Sequence, residues 1–149
     1  MAVYAPFTAG QALTADALNT FLIAETMEWT PLASLGAFSS GFSANATRVP
    51  MMRKIMRLGT EVWQFKGTIN VTGTLTANTQ FTAFTFTSSS NFVVSERERM
   101  NAATGASRYP VLLGWMATGI MTVSVPTAAG SGTTGFWIDT EIEDPMLLI

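Results

Sequence analysis

The stretch Met51-Met-Arg-Lys-Ile-Met-Arg-Leu-Gly-Thr-Glu-Val-Trp-Gln-Phe-Lys-Gly-Thr-Ile-Asn-Val71 decides the fold class. From Val62 to Val71 its residues alternate. Trp63, Phe65, Gly67, Ile69 and Val71 fall on one side, and Val62, Gln64, Lys66, Thr68 and Asn70 on the other. A period of two places successive side chains on opposite faces of a sheet, so the first set is expected dry and the second wet. Gly59-Thr60 is the expected turn of a hairpin, because glycine reaches the positive φ that tight hairpin turns need. The preceding arm, Met52 to Leu58, carries apolar residues on both faces around Arg53, Lys54 and Arg57, which predicts cover on both sides.

The composition points the same way. The chain has 149 residues, enough for one domain with a real core. Charged residues make up 12% and hydrophobic residues 48%, against roughly a quarter charged in an average soluble domain. So few charges cannot coat an ordinary monomer. Either much of the surface is buried against copies of the same chain, or the coat is polar and uncharged, rich in Thr, Ser and Asn. The eight basic residues are scattered and the net charge is −2, so no basic stripe offers itself to nucleic acid. With no cysteine there is no disulfide framework. With no histidine the commonest general base and zinc ligand are both missing.

Residues 1–12 read as an extended arm with Pro6 and Gly10, without the basic and apolar regions of a signal peptide. Thr14 to about Met27 reads as the one helix, with Thr14 as cap, Asp16 in the first turn and Leu18, Phe21 and Leu22 on a narrow apolar stripe. So short a helix must dock, either on its own domain or on a neighbour. Residues 28–149 are expected to form the β-domain, opened by Trp29. Residues 33–48 read as a loop or irregular edge strand. Phe81 to Thr87 reads as a strand, with Phe84 and Phe86 on one face and Phe81, Ala83 and Thr85 on the other. The cluster Ser95-Glu-Arg-Glu-Arg-Met100 has the spacing of a capping box and could start one helical turn.

The uncharged run Val111 to Val125 invites a membrane test. As a helix it would span only about 22 Å, short of the roughly 30 Å of a hydrocarbon core. Its Thr, Val and Ile, broken by Gly119, indicate buried strands instead. Phe136 to Ile142 is the last strand, with Phe136, Ile138, Thr140 and Ile142 inward and Trp137, Asp139 and Glu141 outward. Short strands punctuated by Gly and Ser indicate an antiparallel β-sandwich or barrel, here with a short N-terminal helix and extended arm. The tail ends in Met146, Leu147, Leu148 and Ile149, apolar where free chain ends are normally polar.

Catalytic chemistry is hard to find. A Ser-His-Asp triad cannot exist without histidine. A Ser-Lys pair with Lys54 or Lys66 has no supporting spacing. Glu141, Glu143 and Asp144 read as a solvated strand end rather than a glycosidase pair or calcium site. The Gly-rich residues 130–135 read as a hairpin loop, since no Lys-Ser/Thr ending or helix follows. Asn45-Ala-Thr47 and Asn70-Val-Thr72 match the glycosylation pattern, as a Thr-rich chain does by chance. Trp29, Trp63, Trp115 and Trp137 could form a sugar-stacking platform. Alternation turns Trp63 inward and Trp137 outward, and Trp137 reads first as an oligomer contact because aromatics are enriched at interfaces. No cofactor, metal or catalytic residue is expected.

Phe7-Thr-Ala-Gly-Gln-Ala-Leu-Thr-Ala-Asp-Ala-Leu-Asn19 resembles the opening of small structural proteins of tailed bacteriophages, particularly those of actinobacteria. Trp29-Thr-Pro-Leu, Met52-Arg-Lys-Ile, Gly59-Thr-Glu-Val-Trp-Gln-Phe-Lys-Gly67 and Phe136-Trp-Ile-Asp139 are similar to the layout of their minor tail, fibre and head-decoration β-domains. The chain departs from that pattern between Phe86 and Val94, which lacks the usual proline–glycine turn. The resemblance implies a non-enzymatic virion protein, assembled in the host bacterial cytoplasm as a homo-oligomer, often a trimer, alongside other virion proteins.

On this reading the arm and helix, residues 1–27, attach to the particle through Tyr4, Phe7, Leu18, Phe21 and Leu22. The subunit interface takes Met52, Met56, Trp137, Met146, Leu147, Leu148 and Ile149. A tail, fibre or baseplate component is expected. The alternatives are a capsid-surface decoration or head-fibre protein, and a receptor- or carbohydrate-binding module for a host-surface glycan. Neither nucleic acid binding nor membrane insertion is expected.

Overall fold

The computed structural model describes residues 23–58, 60–87, 97–104, 110–116, 119–127 and 132–143; for 23–26 and 97–104 the backbone alone is considered. The described chain is almost entirely antiparallel β. Twelve strands run in order: β1 (Ile23–Pro31), β2 (Gly36–Phe38), β3 (Phe42–Ala44), β4 (Met51–Arg57), β5 (Thr60–Lys66), β6 (Thr68–Val71), β7 (Gln80–Phe86), β8 (Arg97–Thr104), β9 (Pro110–Met116), β10 (Ile120–Ser124), β11 (Gly135–Trp137) and β12 (Thr140–Glu143). A 3-10 turn, Leu32–Ser34, follows β1. The strands form a four-stranded sheet, β1-β4-β5-β12, and an eight-stranded row, β2-β7-β10-β9-β8-β11-β6-β3. The expected sandwich or barrel is therefore the fold.

The expected hairpin is β4 and β5, paired from Met51↔Lys66 to Arg57↔Thr60. Thr60, expected in the turn, instead opens β5 paired with Arg57, and Leu58 takes the left-handed conformation at φ 50°. β4 is covered in its own plane by β1 on one side and β5 on the other.

The alternation through Val62–Val71 is real, but it serves two sheets. β5 belongs to the four-stranded sheet and β6 to the eight-stranded row, with Gly67 between them. The partner segment does the same, passing from β11 to β12 through Ile138 and Asp139. The pairs Val62↔Glu143, Phe65↔Thr140, Thr68↔Trp137 and Asn70↔Gly135 keep one unbroken register. The two segments are thus one ribbon folded across a corner, and unchanged register keeps the same side chains inward on both halves. Trp63, Phe65, Ile69, Val71, Phe136, Ile138 and Ile142 are all buried, as alternation predicts.

A second turn of the chain shows that the eight-stranded row is strongly curved. β2 and β3 stand at its opposite ends, yet only Ser39, Ser40 and Gly41 join them. Four Cα steps reach at most about 14 Å. Eight flat strands at ~4.8 Å spacing would separate the ends by roughly 33 Å. The row must curl until its two short edge strands meet. These two strands fall within residues 33–48, where an irregular edge was expected.

One contiguous core draws on both sheets. Phe65 on β5 meets Trp115 on β9 with ring centroids 5.4 Å apart, and Phe84 packs edge-on against Phe38 and Phe86 at 5.0 and 4.9 Å. Each such large apolar side chain contributes about 2–3 kcal/mol by leaving water. The apolar run in 111–125 is the β9–β10 hairpin turning at Gly119, and its Val111, Leu113, Trp115, Met121 and Val123 are buried. Among the described residues no helix is long and apolar enough to cross a membrane.

Three expectations require correction. The helix cannot continue to Met27, because Ile23–Met27 are strand and pair with β4 from Arg57 to Lys54. Ala24, Glu25 and Met27 are good helix formers, but propensity is worth only a few tenths of a kcal/mol per residue, and pairing along β4 overrides it. The rest of the expected helix lies outside the described residues. The helical turn read into the charge cluster is instead β8, whose Arg97 to Ala102 pair with β9. On β7, Ala83 does not face away from Phe84 and Phe86. An irregularity in its pairing with β10, between Met121↔Phe84 and Thr122↔Thr82, inserts one residue and resets the alternation. Ala83 is accordingly buried beside Phe84, and Phe81 packs partly against the core.

Candidate functional site

The corner at Gly67 is built from three segments. The Gly67 N–H donates to Asp139 Oδ1 at 2.8 Å, and its carbonyl accepts from the Ile138 N–H at 3.0 Å. Thr68 N–H donates to the Arg48 carbonyl at 2.9 Å, bringing the chain before β4 against the bend. Arg48 Nη2 reaches the other carboxylate oxygen of Asp139 at 2.9 Å, and its guanidinium lies 5.3 Å from the centre of the Trp137 ring. Asp139 therefore ties the bend to Arg48 with one oxygen each. Gly67 sits at φ 108°, and a Cβ there would come within 2.3 Å of the Val49 carbonyl oxygen. No other residue fits.

Beside this corner the outer face of the four-stranded sheet carries a connected polar layer. Period two and the strand register put Arg53 and Arg57 of β4, Gln64 and Lys66 of β5, and Glu141 of β12 on the side away from Trp63 and Phe65. Arg57 donates to both oxygens of Glu141 at 3.0 and 3.1 Å. The Gln64 amide also donates to Glu141, and Arg53 Nε donates to Gln64 Oε1 at 2.6 Å. The hydrogen bond from Arg57 is the main reason that Glu141 is held below the usual carboxylate range. Burial opposes it, and Gln64 and the charges of Arg57 and Arg53 add to it. Glu141 in turn raises the Arg57 pKa. Ile55 and Val62 share this face and are buried, outside the main core. Val62 was expected on the wet side; its neighbours across the ladders, Ile55 and Glu143, flank it there.

Trp29, on the edge strand β1, reaches across β4. Its ring centre is 3.9 Å from Lys66 Nζ and 4.8 Å from the Arg53 guanidinium carbon. A cation over an indole face is attracted by the ring quadrupole. Two adjoining grooves result. One, of about 490 Å³, is lined by Trp29, Arg53, Gln64, Phe65, Lys66, Asp139, Thr140 and Glu141. The other, of about 590 Å³, is lined by Thr47, Arg48, Val49, Met51, Lys66, Gly67 and Asp139. Lys66 and Asp139 belong to both. These volumes suit a small polar ligand or a few units of a polymer. No cluster of three acidic side chains able to hold a metal occurs among the described residues.

Of the residues expected at interfaces, Tyr4, Phe7, Leu18, Phe21, Leu22, Met146, Leu147, Leu148 and Ile149 lie outside the described residues. Met52 is 1% exposed and belongs to the core, so it has no surface to offer a second copy. Met56 and Trp137 are half-buried, and they lie on different sheets, β4 and β11. Trp63 and Trp115 are core residues, which leaves Trp29 and Trp137 as the tryptophans with accessible surface. The two glycosylation-pattern asparagines hold each other: Asn45 Nδ2 donates to Asn70 Oδ1 at 2.9 Å. Sequence reading missed the grouping of Arg53, Gln64, Lys66, Asp139 and Glu141 around Trp29. Its one visible signal was charge on the outward positions of two strands that are otherwise apolar.

No family model matches the chain. No curated protein matches it either. Among solved structures, the fold is similar to the head domain of the lactococcal phage bIL170, described among the receptor-binding domains of lactococcal phages. The TM-score is 0.55 at 15% sequence identity, and the match covers 80% of this chain and 97% of that one. At that identity the likeness is one of fold. It bears out the antiparallel β-sandwich as the fold class.

Proposed function

We propose that this chain is a non-enzymatic bacteriophage virion protein, a tail, fibre or baseplate component whose β-domain faces the host and binds a surface receptor. The observation that carries the reading is the match of its fold to nearly the whole of a phage receptor-binding head domain. The low charge content, the absence of histidine and cysteine, and the polar grooves beside Trp29 support it. The narrower resemblance to actinobacterial phage proteins gains nothing from a lactococcal neighbour.

In this reading the chain assembles as a homo-oligomer, a trimer, and its N-terminal segment attaches it to the particle. Because β1 begins by Ile23, the attaching segment is residues 1–22. Deleting it should leave a folded β-domain that no longer joins the virion. Immunogold labelling of virions with antibody to the β-domain, paired with adsorption of the purified chain to host cells, tests the whole. Label at the tail tip and decorated cells are expected. Label over the capsid would move the chain to the decoration class, and unlabelled virions would overturn the reading.

A further inference from the structure

The two grooves share a feature that the fold does not require. Lys66 lines both of them, and its ammonium lies on the Trp29 ring with no carboxylate partner among the described residues. The other groove cations are engaged differently: Arg48 binds Asp139, and Arg53 binds Gln64. Counting side chains, Arg48, Arg53 and Lys66 face Asp139 and Glu141, an excess of one positive charge in a chain whose net charge is −2.

We infer that the groove between Trp29 and Asp139 binds a negatively charged saccharide, with the sugar ring on Trp29 and its anionic group on Lys66. This deepens the receptor-binding reading and rests on it. The indole offers a flat apolar surface with a polar edge, suited to the C–H face of a pyranose. Gln64 and Asp139 offer donors and acceptors to ring hydroxyls: each Asp139 oxygen receives one hydrogen bond here and can accept a second, and the Gln64 amide keeps one N–H and one acceptor site. Lys66 carries its charge on a long stem and is exposed. A phosphate or carboxylate is a stronger partner for an ammonium than a ring face is. When such an anion arrives, the ammonium lifts from the indole and uncovers the face it had occupied. Ring and cation then bind different parts of one ligand, which a free inorganic anion or a neutral sugar cannot exploit. Arg53 remains stacked and keeps the indole in place.

The test uses the full-length protein and four probes: α-D-glucose 1-phosphate, D-glucuronate, methyl α-D-glucoside and inorganic phosphate. The readout is the set of tryptophan indole N–H signals in a heteronuclear NMR titration. Assignment by Trp29→Phe identifies the relevant signal, and the buried Trp63 and Trp115 serve as internal controls. The two charged sugars should shift the Trp29 signal at least fivefold more tightly than methyl glucoside or phosphate. Lys66→Gln should weaken the charged sugars at least fivefold and leave methyl glucoside unchanged. Lys66 is exposed, so this variant keeps the fold, and its unshifted Trp63 and Trp115 signals verify that. The inference is overturned if phosphate alone binds as tightly as the sugar phosphate, if Lys66→Gln binds all four probes like the natural protein, or if no probe moves Trp29. Adsorption to host cells separates this failure from that of the broader reading. If the Lys66→Gln chain still decorates cells fully, receptor binding stands and this groove is not its site.

Discussion

β5 bends sharply at both ends, and the two bends are made by opposite means. At its start the chain turns through Leu58, a bulky residue at φ 50° whose side chain is 62% exposed. At its end it turns through Gly67, at φ 108° and walled in by Val49 and Pro50. Both demand left-handed backbone, which costs an ordinary L-residue about 1–2 kcal/mol. At the open tip that cost is tolerated, because nothing presses on the side chain. At the corner, steric exclusion is added to it, and the sequence has no choice. Residue identity is dictated where segments converge, and is free where they do not.

Gly67→Ala is the substitution that would break this contrast most visibly. The methyl would press on backbone atoms of Val49 and Pro50 at an unfavourable φ. A loss of about 3–5 kcal/mol is expected in urea unfolding. A loss below 1 kcal/mol would mean that the corner yields as readily as the tip. Next in size is Asp139→Ala, which removes the acceptor of the Gly67 N–H and the partner of Arg48. Water reaches this carboxylate, so the expected loss is about 1–2 kcal/mol. Asp139→Asn should recover part of it by keeping an acceptor.

At the other end of β5, Arg57 beside the tip pairs with Glu141, and both are substantially exposed. Glu141→Gln should cost less than about 1 kcal/mol at neutral pH. The sign with pH follows from the lowered carboxyl. Its contribution is fully present above the ordinary value of 4.5 and is lost as pH falls through the lower folded value. Comparing the acid limbs of natural and Glu141→Gln protein by thermal unfolding should show a shallower fall in the variant. The smallest effect has the opposite sign: Leu58→Asn should stabilise the hairpin by about 0.5–1 kcal/mol, because asparagine tolerates left-handed φ. If it destabilises instead, Leu58 makes a contact that its exposure does not reveal.

The same contrast explains what the sequence could tell. The hairpin was legible because its alternation runs over ten residues from Val62, which gave the inward faces of β5 and β6, as the alternation from Phe136 to Ile142 gave those of β11 and β12. The corner was invisible for the same reason: since the register is unbroken, the pattern does not change where the chain leaves one sheet for the other. Ile23–Met27 was misread because Ala24, Glu25 and Met27 are good helix formers, and its partner β4 lies some thirty positions away. β7 was misread because an inserted residue leaves no compositional mark. The groove gathers Trp29, Lys66 and Glu141 from three strands, and only pairing brings them together. Trp137 drew attention through alternation alone, while Trp29 needed the order β1-β4-β5 to be known.

The bent ribbon also sets an order in which the molecule can be completed. Gly67 and Asp139 are 72 positions apart in the chain, so a long loop must close before β5 and β6 gain their partners, and folds rich in such distant pairings form slowly. During synthesis β11 and β12 emerge after every other described strand. Until they do, β5 and β6 present an open edge that another growing copy could fill. Emergence of the last strands is then the step that closes the gap between β8 and β6 and adds β12 to β5, and nascent copies held close together are in most danger of exchanging β11 and β12 just before it.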